Sequence, residues 1–204
     1  MPHQLIPMVN NKLVFATNNE HKLHEVNHLL GKRYILVSLG SIGFKDEIPE
    51  DYFTLEENAL QKARYIYDRY RLSCFADDTG LEVEALGGAP GVFSARYAGE
   101  DKNPTRNVNK LLGELQGAAN RNARFRTVIA LVLDGKEYLF EGIAEGTIAH
   151  EPIGDAGFGY DPIFLPTGYS QTFAQMELSL KNAISHRGRA IERLASFLLS
   201  SPSL

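Results

Sequence analysis

Apolar residues along this chain recur with two different periods, and the places where the period changes outline a fold. Lys12-Leu13-Val14-Phe15-Ala16-Thr17 is a short apolar run ending in polar residues, and from His21 to Leu30 the positions Leu23, Val26, Leu29 and Leu30 fall at helical spacing. Gly31 is a stop for that helix, and Tyr34 to Leu39 reads as a second strand. A strand-helix-strand opening predicts a parallel pair. Glu56 to Tyr70 makes a second helix, with Ala59, Ala63, Ile66 and Tyr70 on one stripe, and Cys74 to Asp78 returns to the sheet. After the glycine-rich turn Gly87-Gly88-Ala89-Pro90-Gly91, Arg106 to Leu115 makes a third helix whose start is marked by Asn103-Pro104-Thr105. Arg124 to Leu133 and Glu137 to Ile148 are long β-rich runs separated by the hairpin signal Asp134-Gly135-Lys136. A helix from about Ser185 to Leu199 closes the chain. The pattern predicts an α/β fold, a mixed β-sheet with flanking helices and an antiparallel portion.

Length narrows this further: 204 residues favour one domain with two lobes, with flexible ends at 1–11 and 201–204. Hydrophobic residues at 44% and charged ones at 23% exclude a disordered or fibrous class. A net charge of −4 argues against a sequence-independent binder of DNA or RNA, so a phosphate ligand would need local cations or a metal ion. No stretch approaches the length of a membrane span, and Met1-Pro2-His3-Gln4 lacks a charged leader followed by an apolar core, which predicts a cytoplasmic protein. The single cysteine, Cys74, sits in an apolar run and reads as a core thiol.

Candidate chemistry gathers in four places. Thr17-Asn18-Asn19-Glu20-His21-Lys22 follows the first strand and opens the first helix, where free backbone amides and the helix dipole favour an anion; the same residues would also serve as an ordinary N-cap. The loop lacks the glycines of a Walker or dinucleotide motif. Asp77 and Asp78 end a strand before Thr79-Gly80, and strand alternation lets only one of them face a given cavity. Lys45 to Glu57 carries Asp46, Glu47, Glu50, Asp51, Glu56 and Glu57 against one lysine, mostly surface charge. Phe158-Gly159-Tyr160-Asp161 offers two aromatic faces and a carboxylate, or a core ring beside a turn, and Ser185-His186-Arg187 offers donors, or a helix cap with solvated charges. His3, His21, His24, His28 and His150 lack zinc-site spacing, and no serine has a Gly-x-Ser-x-Gly setting.

Taken together and in this order, with Leu86-Gly87-Gly88-Ala89-Pro90-Gly91 and Ser94-Ala95-Arg96-Tyr97 between them, these motifs resemble the inosine triphosphate pyrophosphatase family from Lys12 to about Phe197. The resemblance implies two lobes around a central nucleotide-binding cleft and hydrolysis of deaminated purine nucleoside triphosphates to monophosphate and pyrophosphate. It implies a magnesium ion on Glu50, the glutamate of Ile48-Pro49-Glu50, and on Asp78, which is also the general base, with Asp77 in support. It places substrate on Thr17, Asn18, Asn19, Glu20, His21, Lys22, Thr79, Phe158, Gly159, Tyr160, Asp161, Lys181, His186 and Arg187. Asn18 stands where many members have glycine, and Thr79 where many have serine. Donors at His186 and Arg187 would favour a 6-oxo purine over adenine. The expected partner is a purine nucleotide rather than a nucleic acid polymer or a membrane, and the expected assembly is a homodimer. Two other readings stand beside this one: a purine-nucleotide sensor without turnover, and a Maf-type pyrophosphatase with a different base preference.

Overall fold

The structure is a computed structural model and describes residues 12–30 and 35–200. The expectations for Gly31, Tyr34 and both chain ends lie outside the described residues.

Lys12–Phe15 (β1), Glu20–Leu30 (α1) and Ile35–Ser38 (β2) form the expected opening, with β1 and β2 parallel from Lys12↔Ile35 to Phe15↔Ser38. Leu55–Tyr70 (α2) begins behind Thr54, whose hydroxyl accepts the Glu57 amide, and buries Ala59, Ala63 and Ile66. Cys74–Val83 (β3), Pro90–Gly91 (β4), Pro104–Glu114 (α3), Asn122–Leu133 (β5), Lys136–Ile148 (β6), Phe164–Pro166 (β7), Leu178–Ile184 (α4) and His186–Ser200 (α5) complete the chain. The strands run in the order β2-β1-β3-β5-β6-β7, with β4 on β3. β3 is parallel to β1, and the remaining pairs are antiparallel. Asp134 and Gly135 both have positive φ (49° and 79°), as the tight turn joining β5 to β6 requires.

One expectation needs correction. β3 does not end at Asp78: it pairs with β5 from Cys74↔Val132 to Val83↔Ala123, so both aspartates lie mid-strand. Thr79-Gly80 looks like a turn in the sequence, but β5 supplies backbone partners on through it. Gly80 is there for closeness, since a Cβ would come within 2.6 Å of the Gly91 carbonyl oxygen. A seven-residue helix, α4, which the sequence pattern did not show, precedes the terminal one; the terminal helix itself begins at His186 as expected, capped by Ser185, whose hydroxyl accepts the Gly188 amide at 3.1 Å.

Sheet and helices enclose three apolar clusters. α1 and α5 pack on one side against Phe15, Phe75 and Ile129, α2 packs on the other against Val14, Cys74 and Ala76, and α3 covers Leu81, Val83 and Phe125 farther along β3 and β5. Cys74 is fully buried, with its sulfur 3.1 Å from the Ala63 carbonyl oxygen, and burial pushes its thiol up to about 12.

α5 can lie close to β6 because Gly142 has no side chain. A Cβ there would come 2.0 Å from the His186 carbonyl oxygen and 2.5 Å from the Ala190 amide nitrogen. Gly142→Ala should therefore lower stability by about 3 kcal/mol or more, beyond ordinary core overpacking because the clash is with backbone. Urea unfolding checks this: an unchanged midpoint would mean that α5 does not dock as described.

Candidate active site

A cleft of about 560 Å³, within the range of small-ligand sites, is lined by residues of α1, α2, β3 and the start of α5 and by the loop at 158–161. One end is built where β1 passes into α1. The Thr17 hydroxyl accepts the Asn19 amide (3.1 Å), and Asn19 Oδ1 accepts the Lys22 amide (3.2 Å), so Asn19 caps the helix. Thr17, Asn18, Asn19, His21 and Lys22 line the cleft, whereas Glu20 is exposed on the first turn and stands off its wall.

Alternation along β3 sends the two aspartates to opposite chemistries. Asp77 shares the Phe75 side, under α1 and α5, where its carboxylate accepts Lys22 Nζ (2.9 Å) and Arg187 Nε (3.3 Å). Burial works against its charge, but Lys22, Arg187 and Lys62 hold its carboxyl well below the usual range. Asp78 shares the Cys74 and Ala76 side, under α2, and accepts Lys62 Nζ (3.0 Å) and Asn58 Nδ2 (3.4 Å). Burial raises the Asp78 carboxyl even against Lys62 and Lys22. Lys62 Nζ also reaches Glu50 (2.6 Å), so one ammonium bridges the two carboxylates. Burial opposes that charge, yet Asp78, Glu50 and Asp77 hold the ammonium well above the ordinary lysine value. Thr79 returns to the Asp77 side, 2.7 Å from the Thr127 hydroxyl and 3.3 Å from Arg187 Nη2.

The other end is built by the loop at 158–161 and the start of α5. Asp161 Oδ2 accepts the Phe158 amide and Lys181 Nζ, both at 2.8 Å. A Cβ on Gly157 would come 2.2 Å from that carboxylate oxygen, so the turn needs glycine there. Tyr160 is buried in the α3 cluster and donates its hydroxyl to the Ser94 carbonyl (2.9 Å), which leaves Phe158 as the more accessible ring. Lys181 is buried behind the wall, bound to Glu25 (2.6 Å) and Asp161. Arg187 is equally buried and bound to Glu25 and Asp77. His186 stacks on Phe125 at 4.5 Å, and its Nδ1 has no hydrogen-bond partner among the described residues. Burial, then Arg187 and Lys181, lower its pKa well below the ordinary value, so the ring is neutral near pH 7.

Among the described residues no three or more His, Cys, Asp and Glu side chains gather for a metal. Glu50 and Asp78, converging on one ammonium, are an all-oxygen pair of the kind magnesium takes when substrate phosphates and water complete its shell. The residues therefore fit the ion.

Lys62, Asn58 and Glu25 were absent from the sequence reading, yet each carries a signal. Asn58 and Lys62 fall on the stripe that also holds Leu55, Ala59, Ala63 and Ile66, and Glu25 lies beside Val26 on the buried face of α1. A polar residue where the helical period demands an apolar one marks a buried partner.

Comparison with known proteins follows the same lines. The sequence profile of the Ham1 family matches residues 13–197. The chain is 55% identical over 189 residues to a dITP/XTP pyrophosphatase of Porphyromonas gingivalis, covering 92% of this chain and 97% of that one. It is 53% identical over 186 residues to one of Flavobacterium psychrophilum, covering 91% and 98%. A solved HAM1 protein from Coxiella burnetii superposes with a TM-score of 0.85 at 40% identity, over 93% of this chain and 99% of that one.

The raised carboxyl of Asp78 has a consequence for stability. A carboxyl whose folded pKa lies above its unfolded value makes the folded state costlier once it ionises, so the cost is present at neutral pH and disappears below the unfolded value near 4. In the presence of a chelator, Asp78→Asn should melt above the wild type at pH 7 and converge on it near pH 3. A variant that melts lower at pH 7 would mean that the Lys62 pairing outweighs desolvation.

Proposed function

Because the chain belongs to the Ham1 family, we propose that it hydrolyses deaminated purine nucleoside triphosphates, those of inosine, deoxyinosine and xanthosine, to monophosphate and pyrophosphate. One observation carries the reading. A single cleft is lined both by a buried carboxyl of raised pKa paired across an ammonium with Glu50 and by Phe158 and a neutral histidine whose Nδ1 has no hydrogen-bond partner among the described residues.

In this reading water attacks the α-phosphorus, a new P–O bond forms, and the bond to the bridging oxygen breaks to release pyrophosphate. Asp78 takes the proton of the attacking water; its raised pKa moves a carboxylate toward the range in which a base is effective near neutrality. Magnesium, held by Glu50 and Asp78, would neutralise charge on the phosphate oxygens. Lys22 and Lys62 add positive charge from the protein, and capped α1 turns its amides toward the same region. At the other end, His186 as the Nδ1–H tautomer donates to the 6-oxo group. The amino group of adenine in that place would leave the donor buried and unpaired. Phe158 supplies the stacking face. The reading extends to free nucleotides rather than polymers, in keeping with the net charge of −4, and to a homodimer working in the cytoplasm.

A panel of nucleoside triphosphates with magnesium, assayed separately for pyrophosphate and orthophosphate, tests it. Inosine and xanthosine triphosphates should be consumed ahead of adenosine triphosphate with pyrophosphate as product. Orthophosphate release, or a preference for adenine, would overturn it. Asp78→Asn should lower kcat by about 10² to 10⁴ with substrate affinity nearly kept, since the amide retains size but accepts no proton. A variant retaining half the wild-type kcat would remove Asp78 from the role.

A further inference from the structure

His21 belongs by sequence to the loop that faces phosphate, but its ring lies elsewhere. It stacks on Phe158, of the loop at 158–161, with centroids 5.2 Å apart and planes 16° from parallel. Phe158 also has Lys181 Nζ at 5.3 Å and Arg187 Cζ at 5.4 Å from its ring centroid. Those two cations are buried and bound to Glu25, whereas His21 is exposed. Of these three neighbours of the Phe158 ring among the described residues, His21 is the one whose side chain can give way without breaking a described ion pair.

We propose that His21 and Phe158 are the two jaws of a clamp that closes on the purine base, so that His21 is a base-binding residue and not a phosphate-binding one. The inference rests on the nucleotide reading above. The helix that carries the histidine jaw is fixed while the ring itself is free to turn: Glu25, one turn farther along α1, is tied to both Lys181 and Arg187. The Phe158 jaw sits between Gly157 and Gly159, both at positive φ (75° and 63°), and its amide is held by Asp161 Oδ2 at 2.8 Å, so the clamp opens by turning its rings and not by moving this backbone. Because the rings are already nearly parallel, separating them by about 3.5 Å, one further van der Waals layer, admits a flat base in contact with both. A base held this way is gripped by its faces, which every purine presents, while His186 reads its edge. The first turn of α1 then serves both ends of the substrate, with Asn19 and Lys22 toward the phosphates and His21 on the base.

Inosine monophosphate and pyrophosphate, used as separate ligands, divide the two ends. His21→Ala should weaken inosine monophosphate about 5- to 30-fold, within the span expected for losing one stacking partner of a base, and leave pyrophosphate binding unchanged. His21→Phe should restore monophosphate binding, which a merely structural role would not predict. The chain has no tryptophan, so His21→Trp introduces a single indole that can be excited apart from the tyrosines; inosine monophosphate should quench it and pyrophosphate should not. An alanine variant that binds the monophosphate as tightly as the wild type, or more tightly, overturns the clamp, as does one that loses monophosphate and pyrophosphate equally. If the wild type turns over inosine triphosphate while the variants behave this way, the clamp alone fails. If the wild type binds no purine nucleotide, the functional reading fails with it.

Discussion

Three cations and three carboxylates alternate through the interior, from Lys22 to Asp77, Arg187, Glu25, Lys181 and Asp161. Taking any one of them out of water costs several kcal/mol, and that cost is met only by the opposite charge beside it. The chain of charges therefore fixes positions more than it adds stability. It ties α1 to β3, β3 to α5, and α1 again to α4 and the loop at Phe158. The two ends of the cleft are held in register by these buried charges together with the first turn of α1, which borders both.

The period of two along β3 keeps that chain apart from a second group of charges. Asp77 and Asp78 are neighbours in sequence, yet one lies in a field of Lys22 and Arg187 that keeps it ionised while the other faces one shared ammonium. A helix could not divide adjacent carboxylates so cleanly, because successive residues there are only about 100° apart in azimuth. Pairing of β3 with β5 through Gly80 holds the division in place.

Much of this was legible in the chain. The opening β1-α1-β2 unit follows from Leu23, Val26, Leu29 and Leu30, and the β5-β6 hairpin from Asp134-Gly135, because period and turn chemistry act locally. β3 was cut short because Thr79-Gly80 carries a local turn signal that a long-range strand partner overrides. α4, at seven residues, is too short for its period to show. The residues that line the cleft at both ends were visible as motifs, but what Lys62 and Glu25 touch depends on strands and helices far away in sequence. Their signal was a misplaced polarity on an apolar stripe, which says that a partner exists without saying which.

Cys74 lies three residues ahead of Asp77 on β3, sealed beneath α2 with its thiol raised to about 12. A thiolate is the species that alkylating reagents attack, so the folded protein offers them almost nothing at neutral pH. Every labelling event must then follow a lifting of α2 from the strand that bears both aspartates. With a single cysteine in the chain, the rate of alkylation is a clock for how often this helix comes free, read without any probe being introduced.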